Sequence, residues 1–288
     1  MWMNKPFFPE SGITKGDVMR YYTALSSVLL PIIKDRPLVL KRYPNGIHGQ
    51  SFFQQNAGDS TPDGVRIGRV KTEGGQHAVR IIGGDLLTLL YTVQIGTIAV
   101  HTWQSRIQSV HDADSATIDL DPGADVPFAD VVDLAKKIKV ELDKLHLSGA
   151  IKTSGSSGLH IVLPLPARTS FETAARLADA IALRTAEAYP KRATVERSIR
   201  ARPPGTIYVD AQQNAQGKSV VAAYSLRERP TATVSAPVDW SELRRSLRLE
   251  MFTMESMPVR LAKVGDLWGV AMKRRNSKRS IDRALHEA

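Results

Sequence analysis

The chain reads as a mixed α/β protein, with helices packed on the faces of a mixed sheet. Three observations predict this. Amphipathic helical stretches alternate with apolar runs of strand length. Several of those runs follow one another with no helix between them, which a purely parallel βαβ repeat would not do. No Pro/Ser/Gly linker divides the 288 residues, so a single compact unit, residues 1–288, of one or two lobes, is expected.

Taken in order, Thr14 with Asp17 three residues on forms an N-cap signature. Val18, Tyr21, Tyr22, Leu25, Val28, Leu29 and Ile32 then recur at helical spacing up to Arg36-Pro37. Leu38 to Tyr43 is expected as a strand closed by Pro44-Asn45-Gly46, Asp85 to Gln94 as a helix, and Thr97 to Trp103 as a strand. Ser115 to Asp121 makes a further strand, stopped by Pro122-Gly123. Pro127 to Leu145 is an amphipathic helix with Val131, Leu134, Ala135, Ile138, Leu142 and Leu145 on one face. Gly149 to Thr153 and Leu159 to Leu165 are strands joined by the turn Ser154 to Gly158. Phe171 to Tyr189 is helical, Thr206 to Asp210 a strand, Lys218 to Leu226 the start of another, and Trp240 to Leu249 a helix. The basic tail at about 273–288 is expected to fray.

Composition narrows the function. Hydrophobic residues at 42% and charged residues at 24% are globular values and exclude general disorder. No run of about 18 apolar residues suits a membrane span, and MWMNKPFFPE lacks the apolar core of a secretion signal. Cysteine is absent, which excludes disulfides and cysteine-ligated metals and fits a cytoplasmic location. Lys plus Arg number 39 against 29 Asp plus Glu, and the resulting +10 charge suits a polyanion, nucleic acid first.

The sharpest motif is Thr117-Ile118-Asp119-Leu120-Asp121-Pro122-Gly123. Residues two apart on a strand share a face, so Asp119 and Asp121 project together, roughly 6–7 Å apart at Cα. Two such carboxylates repel unless a cation lies between them, and hard oxygen donors suit Mg²⁺ or Mn²⁺. The plainer reading is a strand end whose second Asp caps a turn. The Ser154 to Gly158 loop exposes N–H groups and hydroxyls fit to cradle an anion, and His160 lies on the strand face opposite Leu159, Ile161 and Leu163. The plainer reading there is a flexible hairpin with an incidental histidine. Asp210 ends Gly205-Thr206-Ile207-Tyr208-Val209-Asp210, where a third carboxylate can complete a two-metal site or merely be solvated. Lys41 and Arg42 follow an apolar strand and fit a solvated edge. Phe52-Phe53, in a polar loop, offers either a stacking face or core anchors. His101 shares a strand face with Trp103, as a packed core histidine would. No Walker loop, dinucleotide fingerprint, zinc-ligand spacing or protease-type triad is present.

Together these pieces resemble the polymerase domain of bacterial ligase D, a member of the archaeo-eukaryotic primase superfamily. The resemblance runs from about Ile13 to Leu247, over GITKGDVMRYY, LVLKRYPNGI with FFQQNA, LLYTVQIGTIAVHTWQSR, TIDLDPG, TSGSSGLHIVLPL, GTIYVDAQQNAQGKSVVAAYSLR and VDWSEL. It implies a single primase-polymerase catalytic domain, with a mixed-sheet core, an RRM-like half and flanking helices. It also implies that Asp119, Asp121 and Asp210 hold two Mn²⁺ or Mg²⁺ ions. Lys41, Phe52, Phe53, Ser154, Ser156, His160, Gln213 and Arg227 then contact the incoming nucleoside triphosphate. Lys15 senses a 5′-phosphate, and His101 lies near the primer end.

The implied activity is template-directed nucleotidyl transfer, ribonucleotides preferred, at gaps and 5′-phosphorylated ends of DNA during double-strand break repair by non-homologous end joining. Ku and a DNA ligase are the implied partners, and the bacterial nucleoid the implied location. The sequence departs from the family at Ser157 and Gln55, where many members carry Lys. Arg200 and Arg202 compete for the arginine expected before Asp210. No K-x-D-G ligase motif is present, so the chain is a stand-alone polymerase or a domain of a longer protein. Rival readings are a primase-polymerase for gap-filling excision repair, a two-metal nuclease, a D-x-D glycosyltransferase and a non-catalytic end-bridging module.

Overall fold

Caps, turn glycines and apolar periodicity divide the chain into short elements in a computed structural model that describes residues 3–71 and 75–286. The first segment holds β1 (Pro6–Phe8), β2 (Ile13–Thr14), α1 (Lys15–Ala24), α2 (Ser26–Ile33), β3 (Leu38–Arg42) and β4 (Phe52–Gln54). It continues through β5 (Ile67–Lys71), β6 (His77–Ile81), α3 (Leu86–Gln94) and β7 (Thr97–Trp103). There follow β8 (Ser115–Pro122), α4 (Phe128–Lys144), β9 (Ala150–Thr153), β10 (Leu159–Pro164), α5 (Phe171–Ala188), β11 (Ala193–Thr194) and β12 (Ile207–Asp210). The chain ends with β13 (Ser219–Val221), β14 (Pro237–Val238), α6 (Ser256–Val264), α7 (Leu267–Met272) and α8 (Lys278–His286).

The elements form two compact units. The first comprises Met1–Val110, Gln216–Ala236 and Glu250–Asp266; the second comprises His111–Ala215, Pro237–Leu249 and Leu267–Ala288. In the first unit β13-β7-β3-β4 make an antiparallel sheet, and β1-β2 and β5-β6 pair separately. The Thr14 cap forms as expected: its hydroxyl accepts from the Asp17 N–H, and the Asp17 carboxylate accepts from the Thr14 N–H at 2.8 Å. The helix expected to run on to Arg36 breaks instead at Leu25 (φ −96°, ψ 8°), and α2 begins anew at Ser26.

The second unit carries the larger sheet, ordered β11-β12-β8-β10-β9-β14. Its pairs are antiparallel except β11 with β12, so the sheet is mixed as expected. Apart from the two-residue β11 between α5 and β12, the succession β8-α4-β9-β10-α5-β12, with strand order β12-β8-β10-β9, is a βαββαβ arrangement. Both long helices pack on the sheet. Ile118, Leu120, Ile161 and Leu163 are buried, as are Val131, Leu134, Ile138 and Leu142 of α4 and Leu177 and Ile181 of α5. The alternation along β8 leaves Asp119 and Asp121 on the opposite face from Ile118 and Leu120.

Three further local expectations are corrected. Trp240 to Leu249 is not one helix. An Asp239 capping box closes a single turn, Leu243 leaves it at ψ 81°, and the local hydrogen bonds span two or three residues rather than four. Phe52-Phe53 is not in a loop: it belongs to β4, paired to β3. The tail does not fray over its described part. Asn276 is buried and bonds the N–H and C=O of Ser148, and α8 packs on α5 with Ile281 and Ala284 buried. Glu287 and Ala288 lie outside the described residues.

Candidate active site

The carboxylates are placed by register. In the antiparallel pair of β8 and β12, Asp119 lies directly opposite Asp210, and Asp121 opposite Tyr208. Directly opposed residues share a sheet face, as do residues two apart, so the three carboxylates stand on one face of adjacent strands. Each has a polar neighbour. Arg202 Nη1 lies 3.3 Å from Asp121 Oδ2, with its guanidinium 4.0 Å from the centre of the Tyr208 ring. The Tyr208 hydroxyl donates to Asp210 Oδ1 at 3.2 Å, and the Gln212 N–H to the same oxygen at 2.7 Å. His160 Nε2 is 3.4 Å from Asp119 Oδ1. Burial, then the charge and hydrogen bond of Asp210, push the Tyr208 hydroxyl up to about 12, so it stays a donor. On α5, burial and then the Asp210 charge push the Asp179 carboxyl upward, adding a fourth acidic group to this neighbourhood.

With the side chains turned to these partners, no three His, Asp or Glu groups among the described residues converge as a metal cage. The donor chemistry nevertheless fits a divalent ion. Asp119, Asp121 and Asp210 are all hard oxygen donors, fixed to one face by strand pairing rather than by a loop. Of the two arginines, Arg202 reaches Asp121, while Arg200 is exposed.

On the other side of β8, β10 places His160 opposite Asp119, and β9 places Lys152 opposite His160. The Lys152 ammonium is buried, 2.8 Å from His160 Nδ1. The adjoining Ser154 to Gly158 loop is folded around one hydroxyl. Ser154 Oγ accepts from the N–H groups of Ser156, Ser157 and Gly158 at 3.1, 3.1 and 3.0 Å. The three N–H groups expected to cradle an anion thus converge on that oxygen. Gly155 is required by its φ of 68°. Gly158 is required by space, since a Cβ there would stand 1.9 Å from the Leu120 carbonyl oxygen. Gln213 is partly buried beyond β12. Its neighbour Asn214 bonds both the N–H and the C=O of Thr117, at 2.7 Å each, and so ties that turn to β8.

The remaining candidates lie in the first unit. Lys41 Nζ is 2.9 Å from Glu228 Oε1, and Arg227 Nε is 3.5 Å from Glu228 Oε2. Burial pushes the Glu228 carboxyl up, but the Arg227 charge and the Lys41 hydrogen bond outweigh it and hold it down at about 2. Lys41 is correspondingly raised: burial lowers it, and the hydrogen bonds to Tyr43 and Glu228 more than offset that. Lys41 and Arg42 are not a solvated edge, because β3 lies between β7 and β4. Phe52 and Phe53 are exposed and so are not core anchors. As neighbours on a strand they face opposite ways: Phe52 lies against Arg42 and Phe53 against Lys41, at 5.0 and 5.9 Å. His101 is partly buried, with Val39 and Val221 as cross-strand neighbours. Lys15 is buried; its ammonium donates to the Gln94 carbonyl at 2.9 Å, and burial followed by the Lys5 charge lowers its pKa. Gln55 accepts from Arg80 at 2.9 Å.

Three charged residues of these clusters, Lys152, Asp179 and Glu228, lie outside the motifs read from sequence. A lysine in the middle of the apolar strand Ala150-Ile151-Lys152-Thr153 is the one signal that marks Lys152. Glu228 carries no such signal, because its partners are set by tertiary structure.

Comparison with known proteins bears on these clusters. A family model described as the LigD primase-polymerase domain matches residues 14–268. The chain is 32% identical over 268 residues to the multifunctional non-homologous end joining protein LigD of Mycolicibacterium smegmatis, covering 92% of this chain and 34% of that protein. It is 33% identical over 264 residues to the bifunctional LigD of Bacillus subtilis, covering 91% of this chain and 42% of that one. It thus spans about a third to two-fifths of the length of these curated relatives. A solved structure, the polymerase domain of Mycobacterium tuberculosis ligase D in complex with DNA, superposes with a TM-score of 0.87 at 29% identity, over 96% of this chain and 98% of that one.

Proposed function

The chain belongs to the LigD primase-polymerase family, a family of nucleotidyltransferases that use divalent metal, and from that premise we propose that it extends DNA ends and fills gaps by template-directed nucleotidyl transfer. The observation that carries this reading is the placement of Asp119, Asp121 and Asp210 on one face of two paired strands, with His160 beside Asp119. The βαββαβ arrangement bearing them is the RRM-like half of a single catalytic domain of residues 1–288. Mn²⁺ or Mg²⁺ bound by these carboxylates would lower the pKa of the primer 3′-hydroxyl and neutralise the triphosphate and departing pyrophosphate.

The chain's own residues supply the rest. Asp119 and Asp210 hold the acidic face, and the Tyr208 hydroxyl and Gln212 N–H orient the Asp210 oxygen they share. Arg202, stacked on Tyr208, places a cation beside Asp121, where it suits a triphosphate oxygen. His160, Ser154 and Ser156 bind the phosphates and sugar, and Gln213 the nucleotide. Lys41 and Arg227 supply further positive charge, and Phe53, exposed on the Lys41 side of β4, a stacking surface. A 5′-phosphate contact through Lys15 competes with the Gln94 carbonyl for the same ammonium. His101 lies near the primer terminus. Ribonucleotides are preferred, end joining is the pathway, Ku and a DNA ligase are the partners, and the work is done on the bacterial nucleoid.

Single-nucleotide insertion on a gapped, 5′-phosphorylated duplex, with Mn²⁺ and then Mg²⁺, tests the reading. Incorporation that depends on the templating base and on added triphosphate supports it; degradation of the primer without triphosphate favours the nuclease reading and overturns it. A higher kcat/KM for deoxyribonucleotides than for ribonucleotides under both metals removes the sugar preference alone.

A further inference from the structure

Four residues stand in one row across four adjacent strands: Lys152 on β9, His160 on β10, Asp119 on β8 and Asp210 on β12, each directly opposite the next. Lys152 is among the largest fully buried side chains of the protein. An ammonium taken out of water is costly unless a hydrogen-bond acceptor meets it. One acceptor that meets it here is an imidazole nitrogen, His160 Nδ1, at 2.8 Å. An ammonium has only hydrogens to offer, so Nδ1 must be the bare nitrogen of the ring and Nε2 must carry the hydrogen. That Nε2–H faces Asp119 Oδ1 at 3.4 Å, on the acidic face.

We propose that Lys152 is a positioning residue for nucleotide binding, fixing His160 in the tautomer that presents Nε2–H as a donor on the carboxylate face. The inference rests on the reading of His160 as a triphosphate contact. A ring free to choose could expose bare Nε2, whose lone pair repels carboxylate and phosphate oxygens alike. Lys152 removes that choice, much as a carboxylate or carbonyl behind a metal-bound histidine fixes its ring. The residue touches no substrate; it acts through His160.

Histidine-labelled protein decides the tautomer directly by nitrogen NMR, with the His160 signals assigned by their loss in His160→Ala. The wild-type ring is expected to show protonated Nε2 and bare Nδ1, and Lys152→Met to populate the Nδ1–H form. A wild-type ring protonated at Nδ1, or a folded Lys152→Met with an unchanged ring, overturns the inference. In single-nucleotide insertion, Lys152→Met is expected to raise the KM for the triphosphate roughly 10–100-fold, with a smaller change in kcat. Lys152→Arg, which keeps a donor, is expected to recover most of that loss. Should His160→Ala leave KM unchanged, the reading of His160 fails while the tautomer result stands. Should His160→Ala raise KM and Lys152→Met not, the Lys152 inference alone fails. Should Lys152→Met not fold, the wild-type spectrum and Lys152→Arg carry the test.

Discussion

Asp210 and Asp119 face each other across a strand pair, and no loop movement is needed to bring them together. On the proposed mechanism, removing either charge costs several kcal/mol of transition-state stabilisation, roughly a thousandfold or more in rate. Asp210→Asn is therefore expected to abolish nucleotide insertion while leaving the thermal unfolding curve and the affinity for gapped DNA close to wild type. Insertion at a wild-type rate by a folded Asp210→Asn would remove the carboxylate from the reaction.

A second residue tests electrostatics away from that face. Glu228 has a carboxyl pKa of about 2 in the fold against an ordinary 4.5. A carboxyl whose folded pKa lies below its unfolded one adds stability that is fully present above about 4.5 and is lost as the pH falls through about 2. The contribution is on the order of 3 kcal/mol. Glu228→Gln should lower the urea-unfolding stability at neutral pH by an amount of that order, and the gap to wild type should close as the pH approaches the folded value. A gap that stays constant with pH would locate the effect in packing rather than charge.

Single elements show what the sequence made legible. Thr97–Trp103, Phe171–Ala188 and the Thr14 cap follow from local pattern, because period and capping are written in neighbouring residues. The pairings β5 with β6 and β3 with β4 are less legible. Exposed and buried residues alternate weakly along them, and the positions of Phe52 and Phe53 depend on a partner strand ten residues away. The site divides the same way. Asp119 and Asp121 are readable as a period-two pair, whereas the order Lys152, His160, Asp119, Asp210 requires the register of four strands. That register passes through Gly158, where any side chain meets the Leu120 carbonyl. Gly158→Ala is expected to destabilise the protein by more than about 2 kcal/mol and to lower insertion activity in the folded fraction, since His160 and Asp119 shift together. Gly205→Ala is the control for backbone angle: Gly205 sits at positive φ, 71°, in open space, whereas Gly158 has no positive φ and is constrained by space alone. Gly205→Ala should cost only about 1–2 kcal/mol, seen as a smaller loss in thermal midpoint. A loss at Gly158 no larger than that at Gly205 would show that the close approach to the Leu120 carbonyl does not decide the effect.

Across the whole molecule, Lys and Arg outnumber Asp and Glu by 39 to 29, for a net charge of +10. No helix among the described residues is long and apolar enough to cross a membrane. The basic side chains named above are also not equivalent. Lys15 is tied to Gln94, Lys152 to His160, and Lys41 to Glu228, so these cations already have partners inside the fold. Others stand in water: Arg69 and Lys71 on β5, and Lys278 and Arg279 on α8, are exposed. Affinity for DNA should come mainly from exposed cations like these, each releasing condensed counterions when it meets a phosphate. Four such contacts would weaken binding roughly a hundredfold between 50 and 200 mM salt. Fluorescence anisotropy on a gapped duplex over that range is expected to give a linear fall of log affinity with log salt. Arg69→Ala/Lys71→Ala is expected to flatten that slope by roughly one contact per residue that meets a phosphate, whereas Glu228→Gln, acting within an internal ion pair, should leave it nearly unchanged. A salt-independent affinity would mean that the net charge serves something other than the phosphate backbone, even if nucleotide insertion persists.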